Sequence, residues 1–166
     1  MSKHAKVPPW FGCNYEEHWR YINPKDKVIL DLGCDSGSSM SWFFEKGAKK
    51  VIGVDGDPEK WPAILENYGN DPDAVCLKIL IENSQQINEL IEQYEPDLVK
   101  SDIEGAEMAF LELNIETASK VKEYIIEAHR NSECDIAKEL TYFFVKLGYD
   151  TRIYDYYGSI IYALRR

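Results

Sequence analysis

Two short strand-like segments each end in side chains that can accept a proton. Asp102 and Glu104 lie at the end of the first, LVKSDIE, and Glu127 and His129 lie at the end of the second, EYIIEAH. Carboxylates and imidazoles are the usual groups that take a proton from a hydroxyl during group transfer. Because the carboxyl ends of parallel strands meet at one edge of a sheet, we expect these four side chains to converge there and to act as catalytic groups.

Each of these residues also has a structural interpretation. Ser101 and Glu104 have the spacing of a helix-capping box, and Glu107 would complement the positive end of a following helix. His129 could bond to a backbone carbonyl. Lys100, inside a buried strand, is expected to pair with a neighbouring carboxylate, because an unpaired buried ammonium group is costly. The sequence leaves both interpretations open.

A metal ion is a further alternative at this edge. Asp102, Glu127 and His129 offer oxygen and nitrogen ligands, but their spacing is not diagnostic of any metal site. We therefore predict no metal ligands from the sequence.

A glycine-containing turn, DLGCDSGSS, follows the first strand-like segment and is the expected cofactor site. Gly33 and Gly37 let the backbone turn sharply and approach a ligand, and Asp55, at the end of the next strand, can accept the hydroxyl protons of a ribose. The carboxylates of Asp31 and Asp35 disfavour a pyrophosphate and favour the cationic S-adenosylmethionine. A tight turn without a ligand is the alternative. The cofactor-binding residues predicted here are Asp31, Gly33, Cys34, Asp35, Gly37, Asp55 and Gly56.

The candidate residues lie on a regular alternation of strand-like runs and amphipathic helical patterns. The helical patterns have apolar residues at i, i+3 and i+4. Asp57 followed by Pro58 predicts the start of one helix, and Asn83 with Gln86 predicts a capping box at the start of another. This alternation predicts an α/β fold with a parallel sheet covered by helices on both faces. In the tail, two runs joined by a short turn at Gly158 can only be antiparallel. The predicted strand-like runs are 28–32, 51–55, 74–81, 97–103, 123–129, 150–154 and 159–164.

Composition limits the class of protein. With 45% hydrophobic residues in 166, the chain can bury one core, so we predict a single domain over 1–166, with an N-terminal helix or lid segment at 1–24 and the core at 25–166. The formal net charge of −10 should repel phosphates, so we predict no nucleic-acid and no membrane partner. Scattered cysteines and the lack of an apolar signal core predict a soluble, cytoplasmic protein.

The segment LVKSDIEGAEMAFL (98–111) resembles the FkbM type of class I S-adenosylmethionine-dependent methyltransferases. The resemblance covers 14–164 in order. It departs from the family at Cys34 and Asp35, where a small residue and an Asn or His are usual, and at Ser101, where an aliphatic residue is common. The residues that match the family's Lys-x-Asp-x-Glu-Gly-x-Glu and Glu-x-His signatures are Lys100, Asp102, Glu104, Gly105, Glu107, Glu127 and His129.

This resemblance implies a Rossmann-like three-layer sandwich with a seven-stranded, mostly parallel sheet in the order 3-2-1-4-5-7-6 and one antiparallel strand. It implies methyl transfer from S-adenosylmethionine to a hydroxyl of a sugar or other small-molecule acceptor. It places Glu82 and Asn83 near the adenine, although Asn83 is equally explained as a helix cap. Apart from the resemblance, Tyr154, Tyr156 and Tyr157 could line an acceptor pocket, cover a sheet edge or form the seam of a homodimer.

Other classes stay open. A non-catalytic S-adenosylmethionine-binding or scaffold protein could keep the fold without the chemistry, and a nicotinamide-dependent oxidoreductase could use the same glycine turn. A nucleic-acid methyltransferase is disfavoured by the acidic charge and by the lack of a proline-aromatic motif after the fourth strand.

Overall fold

Seven strands form one sheet in the order β3-β2-β1-β4-β5-β7-β6. The computed structural model describes residues 4–9, 14–129, 135–156 and 158–165. Strands β1 to β5 pair in parallel, and β7 is antiparallel to both β5 and β6. The predicted strand order and the single antiparallel strand are therefore confirmed. The strands are β1 (Val28–Leu32), β2 (Lys50–Asp55), β3 (Ala74–Lys78), β4 (Leu98–Ser101), β5 (Glu123–Ala128), β6 (Asp150–Tyr156) and β7 (Gly158–Leu164).

Helices occupy most of the connections in the described part of the chain. The capping box predicted at Asn83 and Gln86 is present at the start of α4. By contrast, α3 does not begin at Pro58, because Asp57 accepts a hydrogen bond from the N–H of Glu59 and closes a separate turn first. The helices are α1 (Tyr15–His18), α2 (Ser38–Glu45), α3 (Trp61–Tyr68), α4 (Ser84–Tyr94), the 3₁₀ helix Glu107–Glu112, α5 (Ile115–Lys120) and α6 (Ile136–Lys146).

Two apolar clusters fill the space on the two faces of the sheet. Alternation along β1 sends Leu30 to one cluster and Ile29 to the other. The first cluster packs against α4, α5 and α6, with Phe144 fully buried, and the second packs against α1, α2 and α3, with Phe43 fully buried. The sheet is thus covered on both faces, as the alternation of elements predicts. None of the described helices combines the length and the apolar character that a bilayer crossing requires.

The strand directions decide which residues meet at the site. The parallel strands β1, β2, β4 and β5 end at the same edge, and β6 runs in their direction because it is antiparallel to β7. Asp31 pairs with Lys100 and Lys100 pairs with Ile125 across the sheet. Asp102 lies two residues after Lys100 of β4, and Glu127 lies two residues after Ile125 on β5. The ends of β4 and β5 therefore stand side by side next to the turn after β1.

Candidate active site at the carboxyl edge of the sheet

The turn between β1 and α2 packs its backbone directly against the end of β4. Gly33 has a φ of 74°, and a Cβ at this position would lie 1.8 Å from the carbonyl oxygen of Asp102. Gly37 has a φ of 93°, and a Cβ there would lie 2.6 Å from the ring of Tyr68. Both positions combine left-handed backbone with no room for a side chain, so only glycine fits without strain. The contact at Gly33 also places the predicted cofactor turn beside the predicted catalytic residues.

Asp55 ends β2 and holds this turn in place. Its Oδ2 accepts a hydrogen bond of 2.9 Å from the N–H of Asp35, and its Oδ1 accepts one of 2.9 Å from the N–H of Asp57. Burial raises the pKa of the Asp55 carboxyl, although the two hydrogen bonds oppose the shift. A carboxylate oxygen can accept more than one hydrogen bond, so Asp55 retains acceptor capacity for the hydroxyls of a ligand.

The two other acids of the turn are each paired with a lysine. Asp35 Oδ1 lies 2.5 Å from Nζ of Lys60; burial would raise the pKa of Asp35, but the hydrogen bond with Lys60 lowers it. Asp31 is fully buried, its Oδ1 lies 3.1 Å from Nζ of Lys100, and its Oδ2 accepts a hydrogen bond from Ser39. The carboxylate partner predicted for Lys100 is confirmed. The partner of Asp35 was not predicted, because no local pattern links Lys60 to the turn.

The remaining predicted cofactor residues surround the ends of β1, β2 and β3. Cys34 is fully buried behind the turn. A Cβ at Gly56 would lie 2.7 Å from Cα of Leu80, whose side chain is exposed. Glu82 and Asn83 are exposed, and Asn83 caps α4, which confirms its structural interpretation. Glu82 lies on the same edge as Asp55, beyond the end of β3.

Asp102, Glu104 and His129 come together at the ends of β4 and β5. Nε2 of His129 lies 3.7 Å from Oδ1 of Asp102 and 3.5 Å from Oε2 of Glu104. The side chain of Glu104 is 83% exposed, so it can leave or approach the other two at low cost. The capping-box interpretation of Glu104 is wrong, because the next helix begins only at Glu107 and has no side-chain cap.

Glu107 lies outside the predicted catalytic set and orients the histidine. Its side chain is fully buried, and its Oε1 lies 2.6 Å from Nδ1 of His129 and accepts the N–H of Gly105. Burial would raise the pKa of Glu107, but these hydrogen bonds lower it. The hydrogen bond to Glu107 raises the pKa of His129 to about 9, so the imidazole of the ligand-free chain is protonated at neutral pH. Glu107 is part of the sequence signature given above. Its role in holding His129 follows only from the structure, which buries its side chain against the imidazole, because the sequence equally allows an acid that complements a helix end.

Glu127 has the environment of a proton acceptor. Burial, followed by the charge of Asp102, raises the pKa of its carboxyl above the usual value. Within the described part of the chain, no hydrogen bond or ion pair engages its oxygens. Because His129 is already protonated, a carboxylate is the group at this edge that can take up a proton, and Glu127 is the one left unengaged.

Helix α1 covers this edge of the sheet. Tyr15 Oη and Ser38 Oγ lie 2.9 Å apart, which ties α1 to α2. Tyr154 Oη donates to Oε1 of Glu17 at 2.7 Å, which ties α1 to β6. The hydroxyl of Tyr154 therefore contacts α1. The two other tyrosines predicted for the pocket, Tyr156 and Tyr157, lie outside the described side chains.

Comparisons with known proteins relate this site to a family. Residues 13–147 match the FtsJ-like methyltransferase family. An uncharacterized protein, 158B, of Sulfolobus islandicus rod-shaped virus 1 is 31% identical over 125 residues, which cover 75% of each chain. A tRNA U34 carboxymethyltransferase of Proteus mirabilis is 29% identical over 94 residues, 47% of this chain but only 28% of that protein. The structure of Aeropyrum pernix fibrillarin with natively bound S-adenosyl-L-methionine has a TM-score of 0.59 at 16% identity, over 86% of this chain and 69% of that one, and shows a shared fold.

The prediction that excluded nucleic acid as a partner is wrong, because a tRNA-modifying enzyme is among the relatives. The net charge of −10 is a sum over the whole chain, whereas charges in solution act over a Debye length of about 8–10 Å. Two arginines lie together on the described surface: the guanidinium carbons of Arg20 and Arg152 are 5.2 Å and 5.0 Å from the ring centre of Tyr21. Glu17, which accepts a hydrogen bond from Tyr154 beside Arg20, adds one acid to this group, so the net charge of the chain does not describe the charge at this surface.

Proposed function

Because the chain belongs to the FtsJ-like methyltransferase family and uses S-adenosylmethionine as its cofactor, we propose that it methylates a sugar hydroxyl, in a small metabolite or in RNA. The observation that carries this proposal is the unengaged carboxylate of Glu127 beside Asp102 at the end of β4, next to the cofactor turn at Gly33. The more specific FkbM likeness stays a prediction from the sequence signature.

The residues at the glycine turn fit the cofactor. Asp55 presents a half-buried carboxylate for the two ribose hydroxyls, and the exposed side chain of Leu80 beside Gly56 offers an apolar surface for the adenine. When bound, S-adenosylmethionine supplies a methyl group on a positively charged sulfur. Two ion pairs, Asp35 with Lys60 and Asp31 with Lys100, hold the turn. They keep its backbone in position to contact the ligand.

Replacing Asp55 with Ala is expected to weaken binding of S-adenosylmethionine by roughly 10- to 100-fold, because hydrogen bonds to a charged group contribute about 1.5–3 kcal/mol. Isothermal titration calorimetry with S-adenosylmethionine and S-adenosylhomocysteine measures the change. The matched control is Asp57→Ala. It removes an exposed carboxylate that lies just after β2, two residues from Asp55, and that we do not expect to bind the ribose. Equal affinities for the wild type and Asp55→Ala would remove Asp55 from the cofactor site.

A hydroxyl acceptor needs a group that takes its proton as the carbon–oxygen bond forms. Glu127 provides an unengaged carboxylate whose basicity is increased by burial, and Asp102 lies beside it. His129 lies on the same side, with its Nδ1 held by Glu107. Carboxylates accept hydrogen bonds from N–H as well as from O–H groups, so the preference for an oxygen acceptor rests on the resemblance to the FkbM type.

The sugar can belong to a free metabolite or to RNA, and the surface beside α1 offers one feature relevant to RNA. Arg20 lies 4.4 Å from the ring centre of Tyr154 as well as beside Tyr21, and Arg152 contacts Tyr21 from β6. Tyr21 is 40% exposed. Arginines interleaved with aromatic rings suit the phosphates and bases of a single strand.

The test is methyl transfer from S-adenosylmethionine labelled in its methyl group. The acceptors are free nucleosides and monosaccharides in one set of reactions and unmodified single-stranded RNA in another. We expect label on oxygen in at least one set, identified by mass spectrometry of the digested product. Label on a nitrogen or carbon atom would contradict the proposal. If RNA is the acceptor, Arg152→Ala should reduce transfer to RNA, while Arg165→Ala, on the same tail but outside this surface, should not.

A further inference from the structure

The imidazole of His129 faces two carboxylate oxygens at distances that no direct hydrogen bond explains. Nε2 lies 3.5 Å from Oε2 of Glu104 and 3.7 Å from Oδ1 of Asp102, whereas N–H···O hydrogen bonds measure about 2.7–3.2 Å. The ligand atoms of the three residues all lie within 4.8 Å of one another. The two acids thus lie near Nε2 of His129 without a direct hydrogen bond to it.

The other ring nitrogen is already occupied. Nδ1 of His129 lies 2.6 Å from Oε1 of Glu107, whose side chain is fully buried. When Nδ1 donates to a carboxylate in this way, a cation that displaces the proton of Nε2 meets a lone pair directed at the opposite side of the ring. A carboxylate behind one histidine nitrogen with an ion at the other is the usual arrangement around protein metal sites.

Oδ1 of Asp102 is the least satisfied of these ligand atoms. The Asp102 side chain is 34% exposed, but this oxygen is buried, and among the described residues it accepts no hydrogen bond and has only Nε2 of His129, at 3.7 Å, as an ion-pair partner. A buried carboxylate oxygen without a donor is costly unless a cation compensates it. Glu104, whose side chain is exposed, can move its oxygen toward the same point.

From this geometry we propose that Asp102, Glu104 and His129 bind a divalent first-row transition-metal cation, with Glu107 as the residue that positions His129. With ligand bonds of about 2.0–2.2 Å, tetrahedrally arranged ligands are separated by about 3.3–3.6 Å, close to the 3.5 Å and 3.7 Å found here. The imidazole nitrogen favours Mn²⁺, Fe²⁺, Co²⁺ or Zn²⁺ over Ca²⁺ and Mg²⁺. Three protein ligands leave at least one position open for a hydroxyl oxygen.

A second cluster of similar composition serves as a comparison within the same chain. His4 lies with Asp71 and Asp73 near the start of β3, but its Nδ1 contacts Oδ2 of Asp71 directly at 3.0 Å. The His4 ring also stacks on Phe44 at 4.0 Å. Nε2 of His4 faces a carboxylate oxygen of Asp73 at 4.0 Å, whereas Nε2 of His129 faces two carboxylate oxygens at 3.5 Å and 3.7 Å, so we assign the cation to the His129 cluster.

The experiment is a titration of the purified chain with Mn²⁺, followed by electron paramagnetic resonance, without cofactor or acceptor. We expect one bound Mn²⁺ per chain, displaced by Zn²⁺. Glu104→Gln should weaken this binding at least tenfold, and since that side chain is exposed, the variant should fold normally. Glu107→Gln should weaken it by roughly 10- to 100-fold through loss of the histidine's orientation.

The controls separate a built site from general attraction to an acidic protein. Glu112→Gln removes an equal charge from the exposed end of the neighbouring 3₁₀ helix, and Asp71→Asn alters the second cluster. Neither should change Mn²⁺ binding. The proposal is overturned if Mn²⁺ does not bind, if Glu104→Gln binds it as tightly as the wild type, or if Asp71→Asn is the variant that loses it.

The contact between this cation and an acceptor hydroxyl rests on the proposed function, whereas binding of the ion does not. Chelation of the metal should lower methyl transfer at least tenfold, and added Mn²⁺ should restore it. If Mn²⁺ binds as described but chelation does not affect methyl transfer, the cation does not contact the acceptor hydroxyl. The assignment of the metal-binding site is then still supported. If no hydroxyl is ever methylated, the proposed function fails while the resonance titration still decides the metal site.

Discussion

Replacing Lys100 with Met is expected to lower the free energy of unfolding by about 3–5 kcal/mol. The side chains of Lys100 and Asp31 are 5% and 0% exposed, and the substitution leaves the Asp31 carboxylate buried without its cation. Burial alone would lower the pKa of Lys100, but the charges of Asp31 and Asp102 raise it, so the ammonium form is firmly held. Lys100 also donates to the carbonyl oxygen of Gly33 at 2.6 Å, so the cofactor turn should loosen as well.

Urea unfolding followed by circular dichroism measures this loss. The matched control is Lys120→Met, since Lys120 and Glu92 form an even shorter ion pair, 2.6 Å, but are 47% and 48% exposed. An exposed pair contributes about 0–1 kcal/mol, so this variant should stay close to the wild type. The double variant Lys100→Met with Asp31→Leu should be more stable than Lys100→Met, because no buried charge is left. Equal losses for the buried and exposed lysines would contradict this account.

Replacing Glu127 with Gln is expected to slow methyl transfer by roughly 10²- to 10⁴-fold, the usual contribution of a general base. Glutamine keeps the size of the side chain but cannot take up the acceptor's proton. Binding of S-adenosylmethionine should change little, because β1 and β4 separate β5, which carries Glu127, from β2, which carries Asp55. Single-turnover assays with labelled cofactor measure the rate of transfer, and calorimetry measures the affinity.

Glu123→Gln is the control for this prediction. It removes a carboxylate from the opposite end of β5, where Glu123 pairs with Lys27 at 2.5 Å, far from the carboxyl edge. Its transfer rate should match that of the wild type. If Glu127→Gln retains more than a tenth of the wild-type rate, Glu127 is not the proton acceptor.

Local patterns in the sequence were sufficient to predict most of the elements. Alternating apolar runs gave the strands and the capping box at Asn83 and Gln86 gave the start of α4, because both signals depend only on residues a few positions apart. The order of the strands came from the likeness to class I methyltransferases and is confirmed. The prediction that α3 begins at Pro58 was wrong, because Asp57 caps a turn instead of a helix.

Partners between distant segments could not be predicted in the same way. The sequence alone determined the glycine turn and the acids at the strand ends, since turn geometry and strand period are local properties of the chain. Only the tertiary structure decided that Asp35 pairs with Lys60 and that buried Glu107 holds His129. It also grouped Arg20 with Arg152 on an acidic protein. The physical reason is that electrostatic and hydrogen-bond energies depend on distance in space, which folding sets independently of distance along the chain.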